Sequence, residues 1–289
     1  MTVTIRRLIP GDEAAIHALL ATMPETTMFL RSNLVRAGLV DDGSRWSGTY
    51  AGAFEGERLV GVAAMFWNAS LVVAPGPHAE ELASHAIELS GRAVDGIHGP
   101  HDEVTRVRAA LGFANRPTSV ASKQILYALA VEDLIVPAAL TRGDVVIRQP
   151  RADELATLLE WRMQYALETM STPDTPDARD KQAASLAGLQ ERGDLFVAET
   201  AAEPGIVSYS AFNASVADLV QVGGVWTPLE LRGRGFARCV VAGSLRVARD
   251  RGTRRAILFT DDTNVAAQRA YAAIGFRPIG DYSLVYFAH

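Results

Sequence analysis

The sequence predicts an α/β (α+β) protein built from two copies of one fold, each a mixed, mostly antiparallel sheet flanked by helices. Three matches in the same order carry this. RAALGFANRP (108–117) and YAAIGFRPIG (271–280) are each a helical stretch closed by Gly-Phe, with Arg-Pro shortly after. Gly112 and Gly275 read as left-handed helix caps. TIRRLIPGDEAAIHALL (4–20) and VVIRQPRADELATLLEW (145–161) each read as a strand, an acidic helix start and an amphipathic helix. RLVGVAAMFWNAS (58–70) and GIVSYSAFNAS (205–215) each read as a strand entering the same Asn-Ala-Ser turn. The copies are expected to span 1–136 and 141–289, joined near 133–145, where Pro137 and Gly143 punctuate the chain.

In the first copy, FLRSNLVRAG (29–38) reads as a structural amphipathic helix. The second copy reads as a strand at 145–149, helices near 153–170 and 178–192, and strands at 194–200, 205–214 and 218–227. A helix at 235–251, a strand at 255–260, a helix at 264–274 and a last strand at 281–287 complete it.

Composition narrows the function. Of 289 residues, 48% are hydrophobic and 21% charged, with a net charge of −5. That acidic balance argues against nucleic acid as a partner. Nearly all basic residues are Arg; the two lysines are Lys123 and Lys181. The single cysteine, Cys239, excludes a disulfide within the chain or a multi-Cys zinc site, and it falls on an apolar helix face. His78, His98 and His101 are too loosely spaced for a metal site, so no metal is expected. No apolar leader opens the sequence and no segment reaches the length of a membrane span, so a cytoplasmic protein with no membrane partner is expected.

The chemistry starts at VWTPLELRGRGFARC (225–239). It joins an apolar strand end, a Gly-rich turn and an Ala-rich helix start. The ATP-type phosphate loop fails because the required Gly-Lys-Ser/Thr is missing. The dinucleotide fingerprint fails because its third small residue falls on Arg238. A helix start of this kind can still hold a pyrophosphate. Gly233 and Gly235 let the backbone approach closely, Ala237 keeps the approach open, and Arg232, Arg234 and Arg238 add charged donors. A plain tight turn with a solvated Arg run is the simpler alternative.

At Arg232-Gly233-Arg234-Gly235-Phe236-Ala237 the chain matches Gln/Arg-x-x-Gly-x-Gly/Ala. The stretch after it, LFTDDTNVAAQRAYAAIGFRP, matches Asn-x-x-Ala-x-x-x-Tyr-x-x-x-Gly-Phe at Asn264, Ala267, Tyr271, Gly275 and Phe276. On these two motifs the second copy resembles the GCN5-related N-acetyltransferase (GNAT) superfamily over about 145–289, most strongly over 218–287. The resemblance implies two GNAT-like domains, acetyl-CoA (coenzyme A) as cofactor and acetyl transfer to a small-molecule amine in a ternary complex. It implies that Val225, Trp226 and Thr227 grip the pantetheine arm through free backbone groups. It also implies that Tyr271 is the general acid and that Asn264, besides capping its helix, touches the cofactor. Many relatives dimerise, so a homodimer is possible.

The general base is not evident. Some relatives carry a Glu near the position of Gln221, which cannot act as one. In EWRMQYALE (160–168), Trp161, Tyr165 and Glu168 share a helix face. Trp161 and Tyr165 are candidate walls of the acceptor pocket, and Glu168 a candidate base or amine anchor. A core role for the rings with Glu168 at the rim is an equal alternative. Aligned on Gly112 and Gly275, the first copy has Arg108 for Tyr271 and His101 for Asn264. At 72–87 it lacks Arg-Gly-x-Gly, so it is expected to support and not to catalyse. An acyl-CoA sensor without turnover, or an O-acyl or protein acyltransferase, remains a competing function.

Overall fold

The computed structural model describes residues 3–170 and 173–288. It divides into two compact units, Met1–Leu126 with Gly280–His289, and Tyr127–Ile279. The first unit holds β1 (Val3–Arg7), α1 (Glu13–Ala21), α2 (Met28–Ala37), β2 (Gly48–Glu55), β3 (Arg58–Phe66), β4 (Ser70–Val73), α3 (Ala79–Ser90), β5 (Gly96–Pro100) and α4 (His101–Ala110). β6 (Thr118–Ala130) carries the chain from the first unit into the second. Then come α5 (Ala138–Thr141), β7 (Val146–Arg148), α6 (Leu155–Met170), α7 (Pro176–Glu191), β8 (Leu195–Glu199), β9 (Ile206–Val216), β10 (Leu219–Trp226), α8 (Phe236–Asp250), β11 (Arg255–Asp261) and α9 (Val265–Ala272). β12 (Arg277–Phe287) ends the chain.

From β1 to α4, and again from β7 to α9, the elements run strand, two helices, three strands, helix, strand, helix. The two Gly-Phe stretches close α4 and α9 in the same way. Phe113 N–H donates to the Arg108 carbonyl and Phe276 N–H to the Tyr271 carbonyl, across left-handed Gly112 (φ 72°) and Gly275 (φ 106°).

The units do not follow the linear boundaries at 136 and 141. The last strand leaves the second copy: β12 pairs antiparallel with β5, Tyr282 to Tyr286 facing Pro100 to Gly96. Ladder hydrogen bonds and the buried Tyr282 and Phe287 bind that segment to the first unit.

In the first unit the sheet order is β1-β2-β3-β4-β5-β12, antiparallel except for the parallel β4–β5 pair. Alternation along β3 feeds both faces. Val62, Ala64 and Phe66 enter the core with residues of α1 and α2, while Ala63 and Met65 pack with residues of α3 and α4. In the second unit the order is β11-β10-β9-β8-β7, with β10–β11 the parallel pair. α6 and α7 supply Leu158, Leu186 and Leu189 to one side, against Tyr209, Ala211 and Trp226. α8 buries Val240, Val241 and Leu245, and its Gly243 lies so close to Ile147 of β7 that a Cβ would meet that side chain. No described helix is long and apolar enough to cross a membrane.

The expected Asn-Ala-Ser turn forms in one place only. Asn68 and Ala69 turn between β3 and β4, but Asn213, Ala214 and Ser215 remain within β9, which turns at Ala217 and Asp218. The Asn213 side chain fills the space a Cβ would take at Gly223 on β10, so cross-strand packing overrides the local turn preference.

A half-buried ion pair ties the loop before β2 to the segment after α3. Arg92 grips Asp41 in a fork at 2.5 and 2.9 Å, and Thr49 donates to the same carboxylate at 2.6 Å. The Arg92 hydrogen bonds hold the Asp41 carboxyl far below the usual carboxylate range, against the opposing effect of burial. Because the folded value is depressed, this pair stabilises at pH above about 4, and the contribution fades as pH falls toward the folded value. Arg92→Met should cost about 3 kcal/mol by leaving a buried charge. Asp41→Asn should flatten the acid limb of stability. Hydrogen exchange of the β2 and β3 amides against pH measures both effects.

Candidate functional site

The parallel β10–β11 register runs from Leu219/Arg255 to Val222/Leu258. Both strands continue, β10 to Trp226 and β11 to Asp261, without further paired positions. β10 bends where they part. Its ladder with β9 shifts between Gly223 and Trp226, and Gly224 adopts φ 60°. The bulge bends the strand end. The parallel pairing of β10 with β11 therefore ends just before the residues expected to take a pantetheine arm.

The Gly-rich turn follows at once. A short 3₁₀ turn, Leu229–Leu231, leads to Gly233 (φ 78°) and Gly235 (φ 86°). Both take left-handed backbone, which only glycine adopts without cost. A Cβ on Gly233 would meet nothing within 4 Å, so the turn is open there. Gly235 is the N-cap of α8, whose first turn contains no acidic residue and includes Phe236, Ala237 and Arg238. Unpaired N–H groups and the positive end of the helix dipole thus face outward from an open turn, a fit for pyrophosphate.

The loop arginines are partly engaged. Arg234 donates to Glu203 at 2.6 Å and its guanidinium lies 5.0 Å over the Phe236 ring. Arg238 reaches back across Gly235. Arg232 turns the other way, donating to the Thr227 carbonyl at 3.0 Å and to Glu168 at 3.2 Å, with its guanidinium 4.5 Å over the Trp226 ring. It clamps the end of β10 to α6 and is not poised over the turn.

The expected free backbone groups need a correction. The Trp226 carbonyl accepts from Ser208 Oγ at 2.8 Å, and the Thr227 carbonyl is taken by Arg232. Val225 lies in the gap of the β9–β10 register. Ser208, which also meets Thr227 Oγ1 at 3.0 Å, was invisible in the sequence. A serine inside a strand pattern carries no local signal when its partner lies across the sheet.

Asn264 caps α9, its Oδ1 accepting from Ala267 N–H at 3.1 Å. Tyr271, on the last turn of α9, is buried with its ring edge-on to Phe276. Burial pushes its phenol above the usual value, and the Tyr165 phenol adds to the shift. The candidate acid and one candidate pocket wall are therefore within electrostatic reach. Trp161 stacks on Tyr209 with centroids 6.4 Å apart, and Tyr165 meets Trp226 edge-on at 6.3 Å. Both half-buried rings join the α6–sheet core while keeping one edge outside it.

Gln221 is buried and its Nε2 donates to the Val222 carbonyl, so the position offers no base. Glu199 is bound by Arg148, and Asp261 accepts from Thr263. Glu168 is the carboxylate at the end of β10, held by Arg232 across an exposed ion pair. Cys239 is buried, and burial pushes its thiol up, away from a nucleophilic thiolate.

The matching place in the first unit has different chemistry. β4 ends at Val73, and Pro75, Gly76 and Pro77 lead to His78, which caps α3 in the left-handed region (φ 63°). Glu80 and Glu81 occupy the first turn of α3 and oppose an anion. His98 is buried edge-on to Tyr286, and His101 meets Ser283 Oγ at 2.8 Å.

Residues 144–277 match the family model for the acetyltransferase (GNAT) domain. No curated protein matches the sequence. Among solved structures, the chain is similar to a GCN5-related N-acetyltransferase from Sphaerobacter thermophilus (TM-score 0.59, 16% identity, covering 98% of this chain and 94% of that one). It is similar to a tandem GNAT protein from the clavulanic acid biosynthesis pathway (TM-score 0.58, 15% identity, 99% and 98% covered). It is also similar to a Drosophila protein (TM-score 0.69, 11% identity, 98% of each chain covered). At these identities the likeness is one of fold.

Proposed function

We propose, from the match of residues 144–277 to the acetyltransferase (GNAT) family model, that this chain is an acetyl-CoA-dependent N-acetyltransferase acting on a small-molecule amine. One observation carries the reading: β10 leaves β11 after Val222, directly before a turn with two left-handed glycines at the start of α8. A thin acyl-pantetheine arm fits where that pairing ends and a pyrophosphate fits the turn.

When bound, acetyl-CoA supplies the acyl thioester. The first N–H groups of α8 and the Arg238 guanidinium would hold the pyrophosphate. The backbone groups of β10 left free beyond Gly223 would bind and orient the arm, which converts transfer into a step between positioned groups. Tyr271 stays protonated through the neutral range because burial raises its pKa. Its hydroxyl would donate to the departing sulfur. Glu168 holds the incoming ammonium and lets water take its proton. The first unit carries no cofactor in this reading, since Glu80 and Glu81 occupy the first turn of α3, where they would oppose an anion.

The Glu168–Arg232 pair is exposed, so Glu168→Gln should change stability by less than about 1 kcal/mol. It should lower kcat/KM for the amine about tenfold while the acetyl-CoA Kd stays within about twofold, as steady-state kinetics and calorimetry would report. A second reading, an acyl-CoA sensor without turnover, is favoured by Gln221 standing where some relatives carry a Glu. Thiol release from acetyl-CoA across a broad amine panel separates the two. Turnover on any amine supports the transferase, and cofactor binding with no thiol release supports the sensor.

A further inference from the structure

Three hydrogen-bond donors lie buried in the second unit with nothing to donate to. Arg162, on α6, uses Nε on Gln182 Oε1 and Nη2 on Ser185 Oγ at 3.1 Å, both on α7. Its Nη1 has no partner among the described residues. Tyr209, on β9, is fully buried; its hydroxyl likewise meets no acceptor in hydrogen-bond geometry, and the Arg162 guanidinium beside it favours its phenolate, a weaker effect than burial. The third is Trp226 Nε1 on β10, a residue that faces Tyr209 in the ladder.

The first two converge on the bulge of β10. A Cβ at Gly224 would stand 3.5 Å from Tyr209 Oη and 3.7 Å from Arg162 Nη1. Gly224 puts no side chain between them. Burial pushes the Tyr209 phenol up, so it remains a donor. Trp161, one residue before Arg162, stacks on Tyr209, and Tyr165, three residues after it, meets Trp226 edge-on. No nearby carboxylate of α6 answers these donors: Glu160 is bound by Arg179 and Glu168 by Arg232.

Buried donors without acceptors are costly, and native proteins keep few of them. A guanidinium N–H and a phenol O–H side by side call for a planar anion with a single charge and two oxygens. We infer that the amine acceptor of this unit carries a carboxylate, which Arg162 and Tyr209 hold at the bulge of β10. The substrate class is then amino acids or their homologues, with the carboxylate against Arg162 and the amine toward Tyr271 and Glu168. This rests on the transferase reading and narrows its acceptor.

The test uses the full chain with coenzyme A and three matched probe series. L-Phenylalanine, 3-aminopropanoate and 4-aminobutanoate are each compared with the decarboxylated amine and the carboxamide. Binding is followed by tryptophan fluorescence, since Trp161 and Trp226 flank the site. In at least one series the acid should bind more than about tenfold tighter than both neutral analogues. Arg162→Gln should reduce that gap to less than about twofold, with the coenzyme A Kd unchanged as proof of folding. Tyr209→Phe, which removes only the hydroxyl, should narrow it too. Neutral analogues binding as well as the acids in every series, or a gap that survives both substitutions, overturns the inference. Thiol release on parallel samples keeps the two claims apart. An acid preference in binding with no turnover sinks the transferase reading and leaves the carboxylate site standing, while turnover without acid preference does the reverse.

Discussion

Tyr271→Phe is expected to lower kcat by roughly 10- to 100-fold, while the acetyl-CoA Kd moves less than about threefold. The substitution deletes one oxygen from a buried ring that packs edge-on against Phe276. The ring itself is unchanged, so folding should hold. The lost interaction is a hydrogen bond to charge developing on sulfur, and bonds to charged groups are worth about 1.5–3 kcal/mol. The raised phenol pKa matters for the mechanism. An ordinary thiol has a pKa of about 8.5, so full proton transfer from Tyr271 would run uphill. On the proposed mechanism its hydroxyl would therefore act by donation to the sulfur, with solvent completing the protonation. Single-turnover kinetics with a saturating amine would separate this from product release. An unchanged chemical step in Tyr271→Phe would remove Tyr271 from the mechanism.

Gly235→Glu is expected to weaken acetyl-CoA binding at least about 100-fold, read by calorimetry. Three effects add. Gly235 sits at φ 86°, where a residue with a Cβ costs about 1–2 kcal/mol. That Cβ would stand 2.9 Å from Arg238 Nε, displacing the guanidinium from the turn. A carboxylate would then occupy the positive end of α8, where the proposed pyrophosphate would sit. Gly233→Ala provides the graded comparison. Its φ of 78° carries the strain, but nothing lies within 4 Å of its Cβ. It should cost about tenfold in affinity. Equal acetyl-CoA binding in all three proteins would mean the cofactor lies elsewhere.

Much of this was legible in the sequence because its causes are local. Gly112 and Gly275 announce helix ends, since a left-handed cap excludes most residues with a Cβ. Asn264 announces a helix start through its own side chain. The apolar stripe from Phe236 to Ala248 announces a helix lying on a sheet. The site was harder to read. Glu168 and Arg232 are 64 positions apart, and each alone looks like a solvated charge. Ser208 and Trp226 sit on neighbouring strands, and only the shifted register brings the hydroxyl to the carbonyl. Arg162 and Tyr209 look like a helix-surface charge and a strand aromatic until the bulge at Gly224 brings them together.

The sequence by itself determined the order of elements, its repetition, and the turn at the head of α8. These follow from backbone preferences and periodicity within a few residues. Tertiary structure alone decided the rest. β12 sits in the first unit because it has a ladder with β5, and no pattern within its own residues names its partner. Arg232 faces Glu168 and Thr227, and the buried Arg162 and Tyr209 donors meet at Gly224, because cross-strand register and helix packing set which side chains meet. Such meetings depend on atoms far apart in the chain, so they exist only once the sheet has closed around them.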